Sequence, residues 1–193
     1  MWRPVVQTVA PAEEPLSLEQ AKAHLGVDTA DDDVTIGEMV AAARAAIESV
    51  TCTRLVTQTV TVRTDCWSDL AGRLPVAPVQ TLTISYVDTE GADQVLDGAV
   101  YRADLEGLEP RAVLKSGQAW PSRQNSTLIT LTAVVGYGDM AAQHPSIVAA
   151  LKMMLGDLYA FRETAQVGGV AGKIPTSASI DALLANFTLH LIA

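Results

Sequence analysis

Three consecutive aspartates, Asp31, Asp32 and Asp33, stand inside the stretch SLEQAKAHLGVDTADDDVTIGEMV at residues 17–40. Three carboxylates this close raise the question of a divalent-cation or acid–base site. Such a site needs several oxygens converging on one point. Adjacent residues on a strand or at a helix start point in different directions. An EF-hand uses alternating positions, an internal glycine and a distal glutamate, a pattern that DTADDDVTIGEM lacks. The simpler chemistry is a helix start, where carboxylates accept from free backbone amides and complement the positive end of the helix dipole. The aspartates are therefore expected to cap a helix beginning near Asp33. Thr35-Ile-Gly-Glu38 offers a second possible capping box, which leaves the exact cap open.

The other reactive side chains are scattered. His24, His144 and His190 lie far apart and form no HxH, HExxH or Cys–His spacing. His24 falls at the end of a short helix, where a cation or a donor to the last carbonyls is favourable. Cys52 and Cys66 make no CxxC pair and give no disulfide framework, so both are expected as reduced thiols in the cytosol. The run GGVAGK at 168–173 invites comparison with a phosphate-binding loop. Counting back from Gly172 puts Val167 where that loop needs its first glycine, and Ile174 follows Lys173 where it needs Ser or Thr. No GxSxG occurs. The expectation is a non-enzyme with no catalytic residue, cofactor or metal. The rival is a small metal-dependent hydrolase that joins Asp31–Asp33 to a histidine.

The elements that would position these residues follow from the periodicity. Of the 193 residues 49% are apolar and 18% charged, enough to bury a core. The formal charge is −9, without the basic balance of a nucleic-acid binder. The start, MWRPVVQTVAPAEEP, lacks the apolar core of a signal peptide, and no apolar run approaches the ~20 residues of a membrane span. A soluble chain, intracellular when made, is expected.

Residues 1–16 hold Pro4, Pro11 and Pro15 and read as an extended arm. Ser17-Leu-Glu-Gln20 fits a capping box that opens a short helix, and Gly26 stops it. Ile36, Val40, Ala43, Ile47 and Val50 recur at helical spacing and predict a helix from about Asp33 to Val50. The period then changes to two. LVTQTVTVRTD at 55–65 and TLTISYV at 81–87 alternate, DTEG at 88–91 is a turn, and VYRAD and RAVLK read as short strands. TLITLTAVVGYGD at 127–139 is the longest strand candidate, ended by Gly136 and Gly138. Trp120-Pro121 and LPVAP at 74–78 look architectural, with a partner-binding role for Trp120 as the alternative.

Helical spacing returns after Pro145 with Ile147, Leu151, Met154, Leu155, Leu158 and Phe161. Residues 164–179 read as a linker of small residues. A last segment reads as helical from about Ile180 to Phe187. The layout is α+β: long helices that pack together, a small antiparallel sheet, an N-terminal arm and a C-terminal tail. Its divisions are expected at 1–16, 17–163 and 164–193.

Two surfaces are singled out. Ala41, Ala42, Ala45 and Ala46 give low relief to the 33–50 helix, and some of this surface is expected to meet a neighbouring subunit, with the 145–163 helix as the alternative. Ile180, Leu183, Leu184, Phe187, Leu189, Leu191 and Ile192 follow the linker and are expected to dock on a partner. The alternative is that this segment folds back on its own core.

The order of these motifs resembles the phage head–tail connector, or adaptor, family. PLSLEQAKAHLGVDTADDDVTIGEMVAAARAAIESVTCTRL is similar to its N-terminal signature of a short helix, an acidic turn and an alanine-rich helix. LPVAPVQTLTISYVDTEG resembles its strand region, and WPS with VVGYGD…HPSIVAALKMMLGDLYAFRE its closing strand and long helix. The resemblance covers about residues 15–163 and omits the arm and the tail. The same family serves phage-derived gene transfer agents. It implies a non-enzymatic ring, typically of twelve copies, at the head–tail junction of a virion or phage-like particle. The implied partners are the portal protein and a stopper or tail terminator, with DNA passing along the axis without specific binding and no membrane involved. The chain would await assembly in the bacterial cytoplasm. A stopper or tail-completion protein of the same particle is the neighbouring alternative.

Overall fold

A computed structural model of the chain describes residues 1–138, 144–161 and 178–188. The fold is mixed α and β, and its contacts divide it into two compact units. One comprises Met1–Ala12 and Val56–Gly138, and the other Glu13–Leu55 and Asp139–Ala193.

The first unit is built from strands. Its five-stranded antiparallel sheet runs in the order β1-β2-β7-β3-β4. These strands are β1 (Val6–Val9), β2 (Gln58–Thr64), β3 (Val79–Val87), β4 (Asp93–Val95) and β7 (Ile129–Val135). β5 (Tyr101–Asp104) and β6 (Arg111–Leu114) form a separate hairpin. The strongest alternating stretches occupy the middle of the sheet, since β7 lies between β2 and β3. The register sorts the side chains by face. Val60, Ala133 and Leu82 share one row, and Val62, Leu131 and Ile84 the next. These rows belong to the core, which also takes in Ile129, Val135, Leu70 and Leu74. The opposite face carries the row Val6, Thr61, Thr132 and Thr83, then the row Arg63, Thr130, Ser85 and Val95. Side-chain direction alternates along each strand, so one sequence pattern makes an apolar face and a hydroxyl-rich one.

Two parts of this sheet are absent from the sequence reading. β1 lies inside the segment expected as an arm, and its pairing with β2 is a long-range contact with no local signature. β4 is three residues long and polar at two of them, too short to show a period. Gly136 closes β7 with φ +119°. A Cβ there would stand 2.5 Å from the Val56 carbonyl, so only glycine lets the two backbones approach.

The second unit is helical. α1 (Leu18–Leu25) begins with the expected box: the Gln20 amide donates to Ser17 Oγ at 3.2 Å and the Ser17 amide to Gln20 Oε1 at 3.1 Å. Gly26 ends it in the left-handed conformation, φ 70°. α2 runs Asp33–Thr51 and ends on Cys52, also left-handed. α3 runs Pro145–Ala160 with its proline in the first turn. α4 (Ala178–Leu184) continues into a short 3-10 turn, Ala185–Phe187. The two long helices, α2 and α3, pack together, α1 touches both, and α4 packs on α3. Ile36, Val40, Ala43 and Ile47 of α2 are buried, as are Ile147, Leu151 and Leu155 of α3. Each such aliphatic side chain contributes roughly 1.5–3 kcal/mol on burial. That stripe, read at a period of 3.6, is the reason these segments are helices that hold.

Candidate functional site

The aspartates are structural, in a way that differs from the expected cap. Asp32 occupies the cap position of α2 but makes no side-chain capping bond. Its backbone, at φ −99° and ψ 3°, departs from the extended conformation in which a capping side chain reaches the second and third amides. Thr35 lies inside the helix, which removes the second capping box as well. The carboxylates turn to neighbouring helices. Asp33 Oδ1 lies 2.6 Å from Lys22 Nζ on α1, and Asp32 Oδ2 accepts from the Tyr159 hydroxyl on α3 at 3.0 Å. Asp31 is exposed. The expected contribution to the helix dipole survives at Asp33, in the first turn.

Among the described residues no group of three or more His, Cys, Asp or Glu side chains is placed to hold a metal ion. His144 packs edge-on against Phe187, ring centroids 5.3 Å apart, and His24 is exposed on α1. His190 and the GGVAGK run lie outside the described residues. The Cys66 thiol is exposed and lies 2.9 Å from the Ser68 hydroxyl, and this hydrogen bond holds it below the usual thiol range. Among the described residues no helix is long and apolar enough to cross a membrane.

Among the described residues the charged group most deeply enclosed is Glu48, 5% exposed. One oxygen accepts from the Leu55 amide at 2.9 Å, and the other lies 3.3 Å from Arg44 and 3.7 Å from Arg54. Arg44 also meets Glu14 at 2.7 Å, and chiefly that hydrogen bond raises its pKa. The knot fastens the chain after α2 back to the helix. It holds structure together and presents no open carboxylate to a ligand.

Trp120 stacks on Trp67, centroids 5.1 Å apart and planes 2° from parallel, while Tyr86 meets Trp67 edge-on at 5.5 Å. All three rings pack against the core of the strand unit, consistent with the architectural reading of Trp120.

The two surfaces singled out in the sequence lie on the helical unit. Ala42, Ala45 and Ala46 are exposed on α2 and Ala41 is half-buried. Of the docking set, Ile180 and Leu184 are buried, 1% and 2% exposed, within the chain itself. Leu183 and Phe187 are half-buried. Leu189, Leu191 and Ile192 lie outside the described residues.

One feature was invisible to the sequence reading. The pairing of β1 with β2 brings Arg3 and Arg63 together at the edge of the sheet's hydroxyl-rich face, along a groove of about 490 Å³ that also takes in Val6, Thr61 and Leu128. Both arginines are exposed, and neither makes an ion pair among the described residues. Their sequence separation of sixty residues hid the pair, because it exists only once β1 has found its place.

No family model matches the chain, and no curated protein matches it. Solved structures do. A chain in the neck of an empty GTA particle, computed with C6 symmetry, superposes with a TM-score of 0.77 at 20% identity. A chain in the virion of a native gene transfer agent (GTA) particle gives 0.77 at 21%, and one in the neck of a native GTA particle computed with C12 symmetry gives 0.76 at 19%. Each match covers 99% of this chain and 98% of the other. At this identity the likeness establishes a common fold over essentially the whole length of both chains.

Proposed function

We propose that the chain is a structural subunit of the head–tail neck of a gene transfer agent or phage particle, an adaptor ring between the portal and the tail. The observation that carries this reading is the end-to-end fold match to neck and virion chains. The symmetries of those necks support a ring, and twelve copies is the number proposed here. The subunit acts by contact and catalyses nothing. DNA passes along the axis without specific binding. A net charge of −9 per copy supports this, since acidic walls repel phosphates and limit adhesion.

The partners proposed are the portal on one side and a stopper or tail terminator on the other. The exposed Ala42, Ala45 and Ala46 suit close approach of a neighbouring subunit, with Ala41 beside them. Leu183 and Phe187, together with Leu189, Leu191 and Ile192, are the proposed docking residues of the C-terminal segment. Ile180 and Leu184 join that contact only if α4 leaves its place, because both are already buried within the chain. The chain assembles from the bacterial cytoplasm into the particle.

Deleting the gene tests this reading. DNA-filled heads without tails are expected in electron micrographs, restored to complete particles by the wild-type chain and not by Ala42→Arg or Ala45→Arg. Complete tailed particles from the deletion strain would end the proposal.

A further inference from the structure

The chain's charge is distributed unevenly. The strand unit carries seven basic against nine acidic side chains, and the helical unit six against thirteen. The groove at β1–β2 stands out on the less acidic unit. Its two guanidinium groups, Arg3 and Arg63, flank apolar surface from Val6, 58% exposed, and Leu128. The turn between α1 and α2 shows the opposite combination. Asp28 and Asp31 are exposed there and make no ion pair among the described residues. Asp32 and Asp33 are engaged by Tyr159 and Lys22, which fixes the base of the turn. Val34, at 76% exposure, stands beside them on the first turn of α2. One surface is a concave groove with two cations and an apolar wall. The other is an exposed turn with two carboxylates and an apolar side chain.

We propose that these two surfaces form a contact between neighbouring copies of this chain, the acidic α1–α2 turn of one copy seated in the Arg3–Arg63 groove of the next. The occupant is a second copy, because each copy presents both halves of the complementary pair. Two different patches meeting head to tail make a heterologous contact, the kind that generates a ring when its rotation closes. Paired charges at such a contact set orientation and suppress wrong partners, while the valines supply apolar burial. The inference rests on the proposed neck ring and names one of the contacts that would build it. It also gives Asp31 of the aspartate triplet, and Asp28 before it, a role outside their own subunit.

The test uses phage-like particles produced in cells that carry the chain. Arg63→Glu should lower the amount of chain incorporated per particle by about tenfold, as expected when like charges meet at a contact. Adding Asp31→Arg to the same chain should restore incorporation. A second measurement covers the case in which Arg63→Glu harms folding. In a Cys52→Ser/Cys66→Ser background, Asp31→Cys with Arg63→Cys is treated with a short bismaleimide. A ladder of linked multimers on a denaturing gel, absent from either single-cysteine chain, supports the contact. Normal incorporation of Arg63→Glu, or failure of the charge swap to restore it, overturns the contact. So does the absence of a ladder from particles that contain the chain, and these results leave the neck reading intact. Particles that form complete necks without the wild-type chain remove that reading and the contact with it.

Discussion

Lys22 Nζ stands 2.6 Å from Asp33 Oδ1, joining α1 to the start of α2 across the acidic turn. Both groups are partly enclosed, 19% and 32% exposed, so the pair is stronger than an ordinary surface bridge but still screened by water. Asp33→Asn should cost about 1 kcal/mol of unfolding free energy. Tyr159→Phe, which removes the donor to Asp32, should cost a similar ~1 kcal/mol. Urea denaturation measures both. Neither wild type nor variant should shift its midpoint when magnesium or calcium is added. A millimolar divalent ion that raised the wild-type midpoint, and lost that effect in Asp33→Asn, would restore the metal reading.

Glu48 should matter more. Its removal leaves Arg44 and Arg54 without their shared carboxylate and frees the Leu55 amide. Glu48→Ala should destabilise the chain by about 3 kcal/mol, at the lower end for breaking a buried pair because both arginines keep some solvent contact. Thermal unfolding would show it directly. A loss no larger than that of Asp33→Asn would mean the knot is ornamental.

Asp88 governs the β3–β4 turn. Its Oδ1 accepts from the Ala92 and Glu90 amides, each at 2.9 Å, and its Oδ2 from Gln94 at 2.9 Å. These bonds, the Ala92 amide first, hold its carboxyl below the usual aspartate range. A depressed folded pKa means that the stabilisation is present above the unfolded value, about 3.9, and fades as pH falls through the lower folded value. Corrected for the intrinsic rate, which itself falls with pH in this range, exchange at the Glu90 and Ala92 amides should stay slow down to about pH 4 and accelerate below it. Asp88→Asn should abolish that pH dependence. Equal acceleration in both proteins would assign the turn's acid sensitivity to another group.

Two glycines give opposite outcomes on substitution. Gly136→Ala drives a Cβ to 2.5 Å from the Val56 backbone at φ +119°, and should cost about 3 kcal/mol or more. Gly37, inside α2, has nothing within 4 Å of an added Cβ, so Gly37→Ala should stabilise the chain by about 1 kcal/mol. Circular dichroism melting curves of the pair check both signs.

The elements with a strong local period were legible. The Ile36–Ile47 stripe, the Ser17–Gln20 box and the alternation in β2, β3 and β7 each encode their structure within a few residues. What escaped was set by long-range pairing. VQTV between Pro4 and Pro11 has no period of its own, and it becomes β1 because β2 offers it an edge. With β1 unseen, the Arg3–Arg63 groove could not be read either. The aspartate triplet shows a second kind of miss. Its residue types suit a cap, and the side chains went instead to Lys22 and Tyr159, partners that only tertiary packing supplies. The exposure of Ala42, Ala45 and Ala46 on α2 follows from the buried stripe opposite.

A cryo-electron microscopy reconstruction of the particle neck from cells that make this chain would show the proposed ring itself. Density for the chain is expected as a closed ring between portal and tail, with both of its units placed in that ring and the axial channel open for DNA. A neck fully accounted for by other proteins, with this chain absent from it, would rule the ring out.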